Sequence, residues 1–215
     1  AFNQLSGINA LMYYAPAIFK MAGASKDAAL LQAVAVGGTN LLFTMAALLV
    51  IDQFGRRRLM LAGSIGYILS LGATAWAFYA YKAPFAAIAE ALEAHTEIPA
   101  DAAAAAATGG TVVLVGLLVF IASHAFGQGA VIWVFISEIF PNRVRARGQA
   151  LGSFTHWFMA AAISWSFPMF AAVSGGHAFA FYAAMMVLQL LWVLLVMPET
   201  KGVSLEQIQR QLGIE

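Results

Sequence analysis

The stretch Trp133–Gly148, WVFISEIFPNRVRARG, closes a long apolar run with one carboxylate, a proline and three arginines. The run that it ends, residues 110–137, is long enough to cross a membrane, since a helix of about 20 apolar residues spans roughly 30 Å of hydrocarbon. Glu138 lies at the very end of the run, where an unpaired carboxylate is costly. The proline and the arginines therefore predict the end of a membrane helix and a loop on the cytoplasmic side.

The rest of the chain has the same character. Hydrophobic residues make up 62% of its 215 residues and charged residues only 10%, whereas ordinary soluble proteins carry about 25% charged residues. Runs this long and continuous favour helices over the alternating strands of a barrel. The sequence thus predicts an all-α membrane protein with six transmembrane helices, at residues 2–22, 28–51, 58–81, 110–137, 147–173 and 177–198.

The charges of the connections set the expected orientation. Eight of the 11 Lys and Arg residues follow the second, fourth and sixth segments, so the positive-inside rule places these connections and the C-terminus in the cytoplasm. The longest connection, residues 82–109, is acidic and is expected to be a flexible outer loop with room for a short interfacial helix. Ser204 and Gln207 have the spacing of a capping box, which predicts a cytoplasmic tail helix over residues 199–215.

Other classes of protein find little support. The chain has no cysteine, which excludes disulfides and thiol catalysis, and its histidines lack partners at metal-ligand spacing. No nucleotide-binding motif or catalytic triad is visible, so we expect no enzyme, no metal, no cofactor and no nucleic-acid partner. The first residues resemble the inside of a span, without a signal peptide, and we expect a chain truncated at its N-terminus.

A second stretch, Asn3–Pro16 or NQLSGINALMYYAP, places several amides inside an apolar segment. Gln4 and Asn9 would project about 140° apart on a regular helix, unless Gly7 breaks it. Amides both donate and accept hydrogen bonds without the cost of a buried charge, so they can bind a polar ligand inside a membrane. The alternative is that they bind neighbouring helices, a contact worth roughly 0.6–2 kcal/mol.

The charged residues at the helix ends suggest a second device. Asp52, Arg56 and Arg57 follow the second segment, while Glu138 and Arg145 flank the end of the fourth. A guanidinium offers a two-pronged match to a carboxylate, so an arginine from another loop is the natural partner of Glu138. Such pairs could hold the helices in one state as a conformational latch. The alternative is that these arginines only set the topology.

Four motifs now stand in order along the chain: NQLSGINALMYYAPAIF, DQFGRR, WVFISEIFPNRVRARG and PETKG. Together they resemble the sugar porter family of the major facilitator superfamily. The resemblance implies the C-terminal half of a twelve-helix transporter, with the six segments corresponding to its helices 7 to 12. It also implies that the N-terminal six-helix half, with its share of the binding site, is a partner outside this sequence.

The resemblance also implies which residues contact substrate. Two of them depart from the family pattern, because Asn3 replaces a glutamine and His156 occupies a position where an amide is common. Trp133 matches a tryptophan that packs on the sugar ring, and Asn40 matches an asparagine that contacts hydroxyls. The full set of expected substrate-binding residues is Asn3, Gln4, Asn9, Tyr13, Asn40, Trp133 and His156.

The resemblance implies a monosaccharide transporter that works by alternating access in the plasma (inner) membrane, with the lipid bilayer as its surroundings. A non-transporting sugar sensor and a transporter of a polyol or another small solute remain open, as does a fragment that is inactive alone. No Asp or Glu lies in the middle of a segment. Uniport and proton symport therefore cannot be separated from this half.

Overall fold

The structure is a computed structural model that describes residues 1–203 and Gln207. Within these residues it is helical, without a β-strand. The helices are α1 Phe2–Leu5, α2 Ile8–Met21, α3 Lys26–Phe54, α4 Arg56–Ala80, α5 Lys82–Ala94, α6 Ala100–His124, α7 Ala130–Ile139, α8 Arg145–Val173 and α9 Gly175–Leu195, and a π-helical segment, Ala125–Gly129, joins α6 to α7.

Gly7 breaks the first expected span into α1 and α2. Its φ of 84° lies in the left-handed region that favours glycine. A Cβ at this position would also lie 2.5 Å from the ring of Tyr182 on α9. Within the described residues, five helical segments are long and apolar enough to cross a membrane; α1 and α2 are each too short because of the break.

The connection expected as a flexible outer loop, residues 82–109, is mostly helical instead. Its first part forms the 13-residue helix α5, and its alanine-rich part forms the first turns of α6. The physical reason is that alanine is the best helix former, while Asp101 in the first turn favours the N-terminal end of a helix. Only His95–Pro99 separates the two helices.

The helix expected over residues 110–137 is longer and kinked. Together α6, the π-helical segment and α7 span 40 residues, Ala100–Ile139, with a non-helical φ/ψ pair at Gly127. Helix α4 crosses at this point, where a Cβ on Gly63 would lie 2.9 Å from the Cα of Gly127. Two glycines thus allow two backbones to touch at the kink.

Helix α4 forms the centre of the bundle. Half of the residues in its most apolar stretch are buried, against 17% in α3 and 11% in α8. Helix α4 packs on α9 and α6. Tyr67 and Leu71 of α4 lie in one hydrophobic core with Phe179 of α9. Helices α3 and α8 therefore present apolar surface outward, which is the arrangement of helices that face lipid or a further part of a protein.

Of the expected tail helix, Glu199–Val203 are described and not helical, and apart from Gln207 the remainder lies outside the described residues.

Candidate substrate-binding site

All seven residues expected to bind substrate line one cavity of about 360 Å³. A volume of this size is within the range of small-molecule sites, about 300–1,000 Å³. The cavity lies among α1, α2, α3, α7 and α8, and it is also lined by Ile8, Met12, His124 and Gly129. The fold thus brings together residues that are up to about 150 positions apart in the sequence.

The break at Gly7 places the amide of Gln4 at the inner end of this cavity. Gln4 is fully buried, and its Nε2 lies 3.0 Å from Asn3 Oδ1 and 3.1 Å from His156 Nε2. The hydroxyl of Ser6 donates to the backbone carbonyl of Asn3 over 2.6 Å. Hydrogen bonds of its own polar side chains therefore stabilise the short helix α1 where Gly7 interrupts the helical backbone.

The two tyrosines of α2 have different surroundings, as their adjacent positions require. Tyr13 lines the cavity and is 63% exposed. Tyr14 instead stacks on Phe167 of α8, with ring centroids 5.2 Å apart. Asn9 and Asn40 also line the cavity, each half-buried, so their amides are open to a ligand.

Two aromatic rings, those of Trp133 and His156, line the same cavity as these amides. The rings of Trp133 and His156 lie 4.9 Å apart, and that of Trp157 lies 5.2 Å from His156. Trp133 is 44% exposed and lines the cavity. A sugar has apolar C–H faces and a rim of hydroxyls, so amides in one cavity with an exposed aromatic ring form a chemically matched site.

Arg56, at the start of α4, joins the charged residues that were expected to form a latch. Its Nη2 and Nε donate to the two oxygens of Glu138 over 2.8 and 3.2 Å, and its Nη1 donates to Asp52 over 3.0 Å. The Arg56 side chain is 10% exposed and that of Glu138 28%, whereas that of Asp52 is 82% exposed. The bond to Glu138 is therefore the better shielded of the two.

Two other arginines of the expected latch bind elsewhere. Arg57 donates to the carbonyls of Val193 and Leu194 in the last turn of α9, over 3.2 and 2.7 Å. Arg145 donates to the carbonyl of Phe140 over 3.4 Å. Within the described residues neither forms an ion pair.

Comparison with known proteins connects this geometry to a family. Residues 1–212 match the family described as sugar (and other) transporter. The chain belongs to this sugar transporter family. It is 35% identical over 215 residues to the D-xylose-proton symporter of Escherichia coli strain K12, a match that covers 97% of this chain and 38% of the symporter.

Two further relatives agree. The chain is 33% identical over 210 residues to the arabinose-proton symporter of Bacillus subtilis strain 168, which covers 97% of this chain and 40% of the relative. A solved structure of the proton:xylose symporter XylE, of the major facilitator superfamily, bound to 6-bromo-6-deoxy-D-glucose matches with a TM-score of 0.76 and 34% identity, over 98% of this chain and 40% of that one. The chain thus spans about two fifths of the length of these sugar transporter relatives.

One polar network in this sugar transporter family member was missed by the sequence analysis. The Tyr67 hydroxyl lies 2.7 Å from His124 Nδ1 and 3.5 Å from Gln128 Oε1. Gln128 donates to Gln189, and Gln189 donates to Ser64 over 2.8 Å. These buried side chains connect α4, the kinked helix and α9, and His124 reaches the cavity wall. No spacing rule links residues from three separate helices, although each was visible as a polar residue in an apolar segment.

The role of the PETKG motif was also missed. Glu199 accepts hydrogen bonds from the backbone N–H groups of Arg56 and Arg57 over 2.9 and 3.1 Å, so its carboxylate caps the start of α4. A carboxylate is favourable at a helix N-terminus. Thr200 donates to Glu138 over 2.6 Å. The motif thus ties the chain after α9 to the residues around Arg56, a group that we call the Arg56 cluster: Asp52, Arg56, Glu138, Glu199 and Thr200.

Proposed function

We propose that this chain is the C-terminal six-helix half of a monosaccharide transporter that works by alternating access. The observation that carries the proposal is the single cavity lined by four amide side chains and by Trp133. Family membership over nearly the whole chain supports it. In this proposal the broken segment α1–α2, the first along the chain, also spans the membrane and brings the total to six. Discontinuous helices form the central sites of such transporters.

The substrate that we propose is a pentose or hexose, moved together with a proton. The relatives named above are symporters of D-xylose and arabinose with protons. The amides would bind the hydroxyls, and Trp133 would cover an apolar face of the ring. The second half of the cavity wall would come from the N-terminal six helices, and the C-terminus would lie in the cytoplasm.

The Arg56 cluster would stabilise the outward-facing state. Its bonds join α3, α4 and α7 with the segment after α9, so these elements would separate only when the cluster opens. A change between two packings of such elements is the usual form of alternating access. The proposal needs no cofactor and no chemical reaction.

Uptake of radiolabelled D-xylose by the full-length transporter in proteoliposomes tests this function. We expect uptake that rises with an inward proton gradient, and loss of at least about tenfold in affinity, or about 1.4 kcal/mol, on Trp133→Ala. The matched control is Trp165→Ala, because Trp165 is 83% exposed on α8, away from the cavity lining.

Three results would count against the proposal in different ways. Equal affinities of the Trp133→Ala and Trp165→Ala variants would overturn the site. An uptake rate that does not change with the proton gradient would overturn symport and leave uniport. Stronger competition by a polyol such as xylitol than by unlabelled D-xylose would change the substrate class.

A further inference from the structure

The amide of Gln4 is held by the two residues that depart from the family pattern. Its Nε2 lies 3.0 Å from Asn3 Oδ1 and 3.1 Å from His156 Nε2. A glutamine amide has two N–H donors, one for Asn3 Oδ1 and one for the ring of His156, whose tautomer decides which nitrogen accepts. The two departures from the family pattern therefore act on one side chain.

The acceptor of the same amide has no partner. Gln4 Oε1 is buried and without a hydrogen bond in the described part of the chain. Turning the amide by half a turn would exchange Nε2 and Oε1. In the present orientation Nε2 faces Asn3 Oδ1 and the ring nitrogens of His156, one of which accepts when the ring is neutral.

His156 offers an acceptor only while it is neutral. A neutral imidazole has one nitrogen that accepts, whereas an imidazolium has only donors. A protonated His156 would therefore face the N–H group of Gln4 with another N–H group, and it would bind Oε1 in its place. Protonation of this one ring would reverse the donor and acceptor pattern at the inner end of the cavity.

We propose that His156 is a positioning residue that sets the orientation of the Gln4 amide, and that its protonation makes sugar affinity depend on pH. This inference rests on the proposed function. Neutral His156 holds the amide in the orientation described above. Acidification turns the amide and removes an acceptor from the cavity wall, so sugar affinity falls as the pH falls.

Other ionisable groups lie near His156. Two of them line the cavity, Tyr13 of α2 and His124 of α6. Glu138 of α7 is bound to Arg56, and Tyr182 of α9 packs edge-on against Phe179. Of the side chains that line the cavity, none is a carboxylate. His156 is the only ionisable one of them that contacts Gln4 among the described hydrogen bonds.

The test measures the affinity of the full-length transporter for D-xylose at about pH 5.5 and about pH 8, on either side of the ordinary histidine pKa of about 6.5. From the higher to the lower pH, we expect the affinity of the wild type to fall about tenfold relative to that of His156→Gln, the effect of exchanging one hydrogen bond in a binding site. His156→Gln keeps an acceptor that does not titrate. Whatever its affinity at the higher pH, this variant should lose most of the pH dependence that His156 contributes.

Two further variants complete the design. His156→Asn replaces the ring with a shorter amide and serves if the Gln variant does not fold. His177→Gln is the matched control, because His177 packs against Tyr79 away from the cavity lining, and it should keep the wild-type pH profile. The same pH profile in the wild type and in a folded His156 amide variant would overturn the inference and leave the proposed function standing.

A readout without sugar covers the case in which the function itself is wrong. Trp133 lies 4.9 Å from the His156 ring, and a protonated imidazole quenches indole fluorescence. The wild type should therefore lose fluorescence on acidification, and His156→Gln should not. Absence of binding to D-xylose, arabinose and D-glucose would contradict the proposed function. Absence of the fluorescence titration in the wild type would overturn the inference.

Discussion

Gly7 combines a left-handed backbone with a tyrosine ring directly against its Cα. Either feature alone disfavours a side chain there, and together they make this glycine the point at which α1 turns away from α2. The amide of Gln4 reaches the cavity only because of this turn. The glycine therefore matters for the site although it touches no ligand.

Gly7→Ala should lower the thermal stability of the full-length protein in detergent, because a non-glycine residue at positive φ costs about 1–2 kcal/mol even without a clash. The matched control is Gly37→Ala on α3, where a Cβ would meet nothing within 4 Å. That control should be neutral or stabilising, since alanine is the better residue within a helix. Equal melting temperatures for the two variants would contradict the assigned role of Gly7.

At the scale of helices, the kink between α6 and α7 depends on the glutamines beside it. Gln128 lies in the π-helical segment and donates to Gln189 of α9, which in turn donates to Ser64 of α4. Three helices thus meet at one chain of side-chain amides. In a membrane interior such a chain replaces the hydrogen bonds that water would supply.

Gln189→Leu should destabilise the protein by about 1–3 kcal/mol, because it leaves the Gln128 amide and the Ser64 hydroxyl without their partner in a buried place. Gln32→Leu on α3 is the control, since Gln32 is half-buried and has no side-chain hydrogen bond among those described. Thermal unfolding in detergent compares the two. A stability of Gln189→Leu equal to that of the control would show that the network adds nothing.

The elements could be predicted from the sequence to different extents. Long apolar runs predicted the helices well, because in a membrane only their length and continuity matter. Between Ala100 and Gly109 the expected flexible loop is helical instead, because alanine forms helices readily. The break at Gly7 was anticipated, whereas the Gln128 network depends on contacts among three helices and has no local signal.

At the scale of the whole chain, the family prediction was confirmed by the match over residues 1–212, while the roles of the site residues stay predictions. The structure brings all seven expected residues to one cavity, which the order of motifs alone could not establish. Arg145 was expected in the latch but binds Phe140 instead. Several arginines in the sequence could have paired with Glu138, and only the distances in the structure show which of them does.

The Arg56 cluster should bias the balance between the two states of the transporter. Gln149 and Glu138 line one cleft of about 440 Å³, so a cysteine introduced by Gln149→Cys reports its opening. Adding Glu138→Gln should raise the labelling rate between about twofold and tenfold, the effect of losing about 0.5–1.5 kcal/mol. Methanethiosulfonate labelling of the full-length protein in membranes measures this change.

Asp52→Asn is the matched control for that experiment. It also removes a carboxylate bound to Arg56, but Asp52 is 82% exposed, and an exposed pair contributes only about 0–1 kcal/mol. Its labelling rate should stay close to that of the parent protein. A Glu138→Gln variant that labels no faster than Asp52→Asn would contradict the latch.

The carboxylate of Glu138 also has a consequence for speed. It accepts two hydrogen bonds from Arg56 and one from Thr200, so α7 cannot leave the cluster without losing all three at nearly the same time. Contacts that must break together before new ones form raise an activation barrier more than they shift an equilibrium. Opening of such closed arrangements, rather than binding, often limits turnover. In the proposed transport cycle, the slow step would then lie at this carboxylate, far along the chain from Gln4.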